Sequence, residues 1–396
     1  MRHFLELSVV AASILVIAGT GSGAFMSGYE SSSSGRVEPS SEGGRARARD
    51  LGIMIGDLEP GPLNAITDVA GVGVGHETIV EGDSIRTGVT VIVPRLGENS
   101  YARKVPGAVA VGNGFGKAAG FTQVEELGTI EAPIVLTNTL AVGAALDGMT
   151  REMLALAGNE EVRSINVVVG ETNDGHLNDI RAMVVTREHV ARAFANASGG
   201  AVEEGCVGAG TGTICFGFKG GIGTSSRVVE LPGDLGSFTV GALVQTNYGG
   251  RLRVDGVKWS DLSAGEDDAE TGGDGSCMIV IATDAPLDAR QLGRVARRAL
   301  LALPRTGSVM SHGSGDYAIA FSNFEGNVVT AGGRELRHAP TLPDAALTKL
   351  FVATIDATEE AILNSMFMAE TTRGRDGHVV EAIDLEPIRT RFGAGR

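Results

Sequence analysis

Short runs rich in β-branched residues alternate with longer segments of helical periodicity, and this alternation limits the folds open to the chain. Val89 to Val93, Ile134 to Thr137, Ile165 to Val169, Val240 to Gln245 and Met278 to Ala282 are too short for helices, and Gly or Asp flanks them. Such runs read as strands. Between them, Leu292, Val295, Ala296, Ala299, Leu300 and Leu303 recur at i, i+3, i+4 spacing. That spacing predicts an amphipathic helix from about Pro286 to Leu303, with Arg290, Arg294, Arg297 and Arg298 on its other face and Asp284 as N-cap. A second long helix is expected over roughly Ala345 to Met368. Strands and helices mixed in this way imply a layered α/β architecture, with sheets covered by helices.

The two ends of the chain differ from this body. Arg2 precedes the apolar run Leu7 to Ala18, and small residues end at Ser22-Gly23-Ala24. This pattern reads as an export signal over residues 1–24, so the protein is expected to be exported to the periplasm. Residues 25–50 form a Ser/Gly/Arg-rich tract with little to bury and are read as a flexible leader, with the folded body starting near Leu51. Inside the body, Asp261 to Gly275 is acidic and small, and Ser276-Cys277 then opens an apolar run. The tract is either a solvated loop before a strand or a processing loop whose cleavage frees a new N-terminus. Pattern alone does not choose between these.

Composition narrows the function. With 396 residues and a formal net charge of −15, the surface opposes nucleic-acid backbones, and 5% aromatics leave little for base stacking. No internal stretch has the length of a membrane span. Three cysteines make no disulfide framework, and seven scattered histidines give no zinc spacing. His76-Glu77 lacks the second histidine of a zincin helix. The Gly-rich stretches Gly112 to Lys117 and Gly208 to Thr213 lack phosphate-loop spacing and context, and are read as tight turns. Neither a Gly-x-Ser-x-Gly elbow nor a Ser-x-x-Lys pair is present.

What remains fits a nucleophile at a chain start, where a hydroxyl uses the α-amine of its own residue as base. That amine has an ordinary pKa of about 7.7–8.0, so part of it is neutral near pH 7. Ser276, at the head of a strand-like run, is the candidate. Alternation along that strand sends Cys277 to the opposite face, as a core thiol.

The tract Gly273-Asp274-Gly275-Ser276-Cys277-Met278-Ile279-Val280-Ile281-Ala282 resembles the processing site of the L-aminopeptidase/D-esterase and β-peptidyl aminopeptidase family. So do Gly73-Val74-Gly75-His76, Val105-Pro106-Gly107-Ala108, Thr137-Asn138-Thr139, Glu171-Thr172-Asn173-Asp174-Gly175, Gln245-Thr246-Asn247-Tyr248-Gly249 and His312-Gly313-Ser314-Gly315-Asp316-Tyr317, all in the family's order between Leu51 and Asn323. The resemblance implies an αββα sandwich like that of N-terminal-nucleophile hydrolases, with different connectivity. It also implies a precursor cut between Gly275 and Ser276 into fragments 51–275 and 276–396 of one catalytic domain, assembled as several heterodimers.

By the same resemblance, Ser276 is the autoprocessing and acylated residue, Ser314 and Asp316 orient it and its amine, and Asn247 donates to the oxyanion. Glu171 grips the substrate's free amine. His176 stands on the substrate side, where some relatives carry an aromatic hydroxyl. No metal or organic cofactor is implied; the partners are a small peptide or amide and the two fragments themselves. Taken singly, Ser314 reads as a turn residue, Asp316 as a cap, Asn247 as an Asx turn and Glu171 as an ion-pair partner. Their co-occurrence carries the assignment. The segment Thr211 to Ser226, with Lys219 and Arg227, is either packing or pocket wall. The rival expectations are an acyltransferase like the ornithine acetyltransferases and an uncleaved periplasmic small-ligand binding protein.

Overall fold

The computed structural model describes residues 44–263, 275–334 and 338–393. The expected export signal, leader residues 25–43 and most of the acidic tract, residues 264–274, lie outside them. The chain from Arg45 onward is one compact unit.

The β-branched runs pair into two sheets. In the first, β1 (Gly73–Glu81), β2 (Ile85–Val93), β4 (Ile134–Asn138) and β5 (Val168–Thr172) lie side by side in that order. In the second, β3 (Arg103–Gly114), β9 (Gly315–Ser322), β8 (Ser276–Thr283), β7 (Ser237–Asn247) and β6 (Ile222–Glu230) are neighbours, and two-residue strands at Thr129–Ile130 and Val329–Thr330 add to β3. The pairs β4–β5 and β8–β9 are parallel, and the other pairs of these two sheets are antiparallel.

Alternation along β8 sets the layers. Met278, Val280 and Ala282 pack with Ile134, Leu136 and Val168 of the first sheet, forming the core between the sheets. Cys277, Ile279 and Ile281 point the other way, into a second core with Leu292 and Val295 of helix α3 (Ala289–Ala299) and Leu350 and Ala357 of helix α4 (Leu347–Phe367). The far face of the first sheet is covered by α1 (Val142–Ala155) and α2 (Arg187–Ala195) through Met149, Val190 and Ala193. The result is α–β–β–α layering, with β8 buried on both faces throughout its length. Cys277 is a buried core thiol, on the face opposite Ser276, as alternation requires.

Helix α4 is buried on nearly all sides, so its polar groups need partners. Glu360 and Arg227 form an ion pair of 2.6 Å with both side chains fully buried, and Arg49 shares the carboxylate. Gly223 of β6 lets the helix approach: a Cβ there would stand 2.0 Å from the Ala361 carbonyl oxygen.

Several local expectations are corrected. The leader does not run to residue 50, because the chain is packed from Arg45. Arg45 donates to the Ile383 and Met366 carbonyls, Arg47 pairs with Glu204, and the Ala48 amide donates to Asn364. A composition that reads as solvated instead supplies guanidinium groups to the Met366 carbonyl at the end of α4, the Ile383 carbonyl and the buried Glu204 side chain. Helix α3 is capped by Asp288, whose Oδ1 accepts from the Gln291 amide at 2.7 Å, and not by Asp284, which accepts from the Thr239 amide. The run at Ile165 enters its strand at Val168. Gly112 to Gly114 is the end of β3 and not a turn, whereas Gly208–Gly210 is a short 3-10 turn. No helix among the described residues is long and apolar enough to cross a membrane.

Candidate active site

Strand register brings the candidate residues to one end of the second sheet. Ser276 is the first residue of β8, opposite Asn247, the last of β7, on one side and Gly315, the first of β9, on the other. Cys277 is paired with Asp316 in the next rung. The opening beside Ser276 is a cavity of about 620 Å³ whose walls include Phe115, Lys117, Thr139, Glu171, His176, Ile214, Asn247, Tyr248 and Gly275. The two sheets thus contribute opposite walls, Glu171 from the end of β5 and Ser276 from the head of β8.

The Gly275–Ser276 peptide is continuous and nearly buried; Ser276 is 6% exposed. The Gly275 carbonyl accepts from the Ser276 hydroxyl at 2.6 Å and from the Gly315 amide at 3.1 Å. The same amide lies 3.3 Å from Ser276 Oγ. A hydroxyl is thereby held against the carbonyl of the preceding residue, and a backbone N–H already polarises that carbonyl. Only glycine fits at position 275, since a Cβ would stand 2.6 Å from Tyr248 Cα.

Asn247 Oδ1 accepts from the Ile214 amide at 3.0 Å, which orients the side chain and leaves Nδ2 without an acceptor among the described residues. Asp316 is fully buried, and burial pushes its carboxyl up to about 6, against the opposing effects of the Ser314 hydroxyl and the Cys277 amide. Neither carboxyl oxygen, nor Ser314 Oγ, makes a hydrogen bond of good geometry among the described residues. Three buried polar atoms are therefore left unsatisfied beside the first two residues of β8. This is the kind of exception that marks a site rather than a scaffold.

Glu171 is buried at the opposite wall and is held from both sides. The Lys117 amide donates to Oε1 at 2.8 Å, and the Thr139 hydroxyl donates to Oε2. Tyr317 stands close by and donates to the Gly116 carbonyl at 3.1 Å. His176 lies on the rim, its ring stacked on His378 at 4.3 Å, and the His378 Nδ1 donates to the His176 carbonyl at 2.9 Å. Burial, then His378 and Arg375, hold the His176 pKa below its ordinary value, which favours a neutral ring.

All the candidate residues thus border the cavity or the rung beside it. Sequence reasoning passed over Thr139, Lys117 and the Gly315 amide, although each lies within or beside a quoted motif. The segment Thr211 to Ser226 serves both purposes weighed for it. Buried Lys219 ties the Gly210 and Gly220 carbonyls together, whereas Ile214 and Gly217 reach the cavity. Among the described residues, no group of three or more His, Cys, Asp or Glu side chains could hold a metal ion.

Comparison with known proteins places this geometry. Residues 64–380 match the model of peptidase family S58. The β-peptidyl aminopeptidase BapA of Sphingosinicella xenopeptidilytica is 42% identical over 372 residues, covering 86% of this chain and 90% of that protein. The structure of a Burkholderia sp. β-aminopeptidase superposes with a TM-score of 0.77 at 43% identity, over 87% of this chain and 97% of the other. The L-aminopeptidase D-Ala-esterase/amidase of Ochrobactrum anthropi, described as a variant of the Ntn hydrolase fold, gives 0.80 at 38% identity, over 88% and 99%. The layered fold is that of these Ntn-hydrolase-like aminopeptidases, and the chain belongs to peptidase family S58 as an aminopeptidase.

Proposed function

We propose that the chain cuts its own Gly275–Ser276 bond and then uses the freed Ser276 as nucleophile to release N-terminal residues from short peptides, amides or esters. In the first step Ser276 Oγ attacks the Gly275 carbonyl carbon. The C–N bond breaks, and the hydroxyl proton passes to the departing nitrogen. Water then hydrolyses the ester, leaving Gly275 as a carboxylate and Ser276 with a free amine and hydroxyl. The hydroxyl resting on its own upstream carbonyl, beside the Gly315 N–H, is the observation that carries this reading.

In turnover, Oγ attacks the scissile carbonyl of the substrate while the Ser276 amine takes its proton. Asn247 Nδ2 donates to the developing oxyanion, the leaving amine takes the proton, and water hydrolyses the acyl-enzyme. Buried Asp316 and Ser314 offer the new ammonium the acceptors that the uncut chain leaves unused. Glu171 takes the substrate's free ammonium as a charge-assisted pair. The names of the BapA relatives favour β-amino acids at the released end. Export to the periplasm and assembly into an oligomer of heterodimers belong to the same proposal.

The test is mass spectrometry and N-terminal sequencing of purified protein. Two chains are expected, one beginning Ser-Cys-Met-Ile, with a single inactive chain from Ser276→Ala. Cleavage in Ser276→Ala, or active protein without that new terminus, would overturn the proposal.

A further inference from the structure

The cavity carries one charge that neither proposed step uses. Lys117 lines it together with Glu171, and it is the Lys or Arg among the lining residues. Its ammonium donates to the Phe115 carbonyl at 3.0 Å and sits 4.5 Å over the Phe115 ring, and it has no carboxylate partner among the described residues. The other cations at the ends of β3 are paired, Lys104 with Glu131 and Arg103 with Glu98 and Glu325. An ammonium has three donors, and one carbonyl leaves two of them for a ligand. The Phe115 contacts hold the side chain, which is exposed, beside another residue of the cavity wall.

The backbone of the same residue is already committed. The Lys117 amide orients Glu171, the group proposed to take the substrate's ammonium. One residue therefore fixes the anionic wall with its N–H and supplies a cation with its side chain. A ligand carrying a positive and a negative end is complementary in charge to these two wall residues.

We infer that Lys117 reads the free C-terminal carboxylate of the substrate, so that the preferred substrates are short zwitterionic peptides, above all dipeptides, rather than their amides. This rests on the aminopeptidase reading and adds the far end of the substrate to it. Lys117 is a specificity-determining residue here and touches no reacting atom.

The test compares β-alanyl-alanine and L-alanyl-alanine, each as free acid and as C-terminal carboxamide, by kcat/KM. The wild type should favour the acids. Lys117→Gln should lower the acid-to-amide ratio about tenfold, as loss of one charge-assisted contact does, mainly through KM for the acids. Lys117→Arg should restore most of the ratio, and Lys117→Glu should invert the preference. A ratio that Lys117→Gln leaves unmoved, or equal losses on acid and amide, would overturn the inference while leaving the hydrolase reading intact. A self-processed wild type that hydrolyses neither acid nor amide would refute both.

Discussion

Asp316→Asn should move stability and activity in opposite directions. In the uncut chain the Asp316 carboxyl is fully buried and neither oxygen has a well-formed hydrogen bond. Its pKa rises from 3.8 to about 6, chiefly through burial. Folding therefore favours the protonated form: the contribution to stability is fully present below about pH 4 and is lost as pH rises through 6. The two-unit displacement corresponds to about 3 kcal/mol above pH 6. Asn cannot ionise, so it escapes that loss. The assay is equilibrium urea unfolding of Ser276→Ala and of Ser276→Ala/Asp316→Asn, the first substitution keeping the chain in one piece. At pH 8 the double variant should be more stable by about 3 kcal/mol, roughly 4 °C in Tm for a body of this size. The gap should narrow steadily toward pH 4. In the self-processing chain the same Asp316→Asn change should sharply lower turnover, because the Ser276 amine loses its carboxylate. A stability gap that does not vary with pH, or an Asn variant less stable at pH 8, would refute the argument.

Other expectations follow from the same geometry. Asn247→Ala should lower kcat by about 10²–10³-fold with intact folding, as for loss of one oxyanion donor; steady-state kinetics with unchanged kcat would remove Asn247 from that role. Glu171→Gln should raise KM for substrates with a free amine, and Thr139→Val should do so more weakly, because it frees one carboxylate oxygen without discharging it. Gly275→Ala should slow or stop the internal cut, since the added Cβ meets Tyr248 Cα at 2.6 Å, and a mass-spectrometric time course reads this directly. Met278→Ala, between the sheets, should cost about 2–5 kcal/mol in denaturant unfolding.

Local sequence was informative where periodicity alone encodes burial. The run after Ser276 is β8, and its alternation already separates Met278, which faces the other sheet, from Cys277, which faces the helices. The helix expected from Ala345 is found at Leu347–Phe367. The motif set named residues around the cavity, several of them at strand ends: Ser276 heads β8, Asn247 ends β7 and Glu171 is next to the end of β5. Composition misled at Arg45 to Asp50, where Arg45 and Arg49 find acceptors on α4, more than 300 residues away.

Pairings between distant segments were not legible. Nothing in the Gly-rich stretch before Lys117 indicates that its amide holds Glu171, or that its ammonium would remain without a carboxylate. Nor does the turn at His176 announce His378, 202 residues further on. The sequence by itself determined which residues are apolar on which face, hence the strands, the helices and the buried start of β8. Only the tertiary structure decided which strand ends meet. Residue order sets hydrophobic faces one segment at a time, whereas a site is made where two such faces close on each other and leave a few polar groups unsatisfied between them.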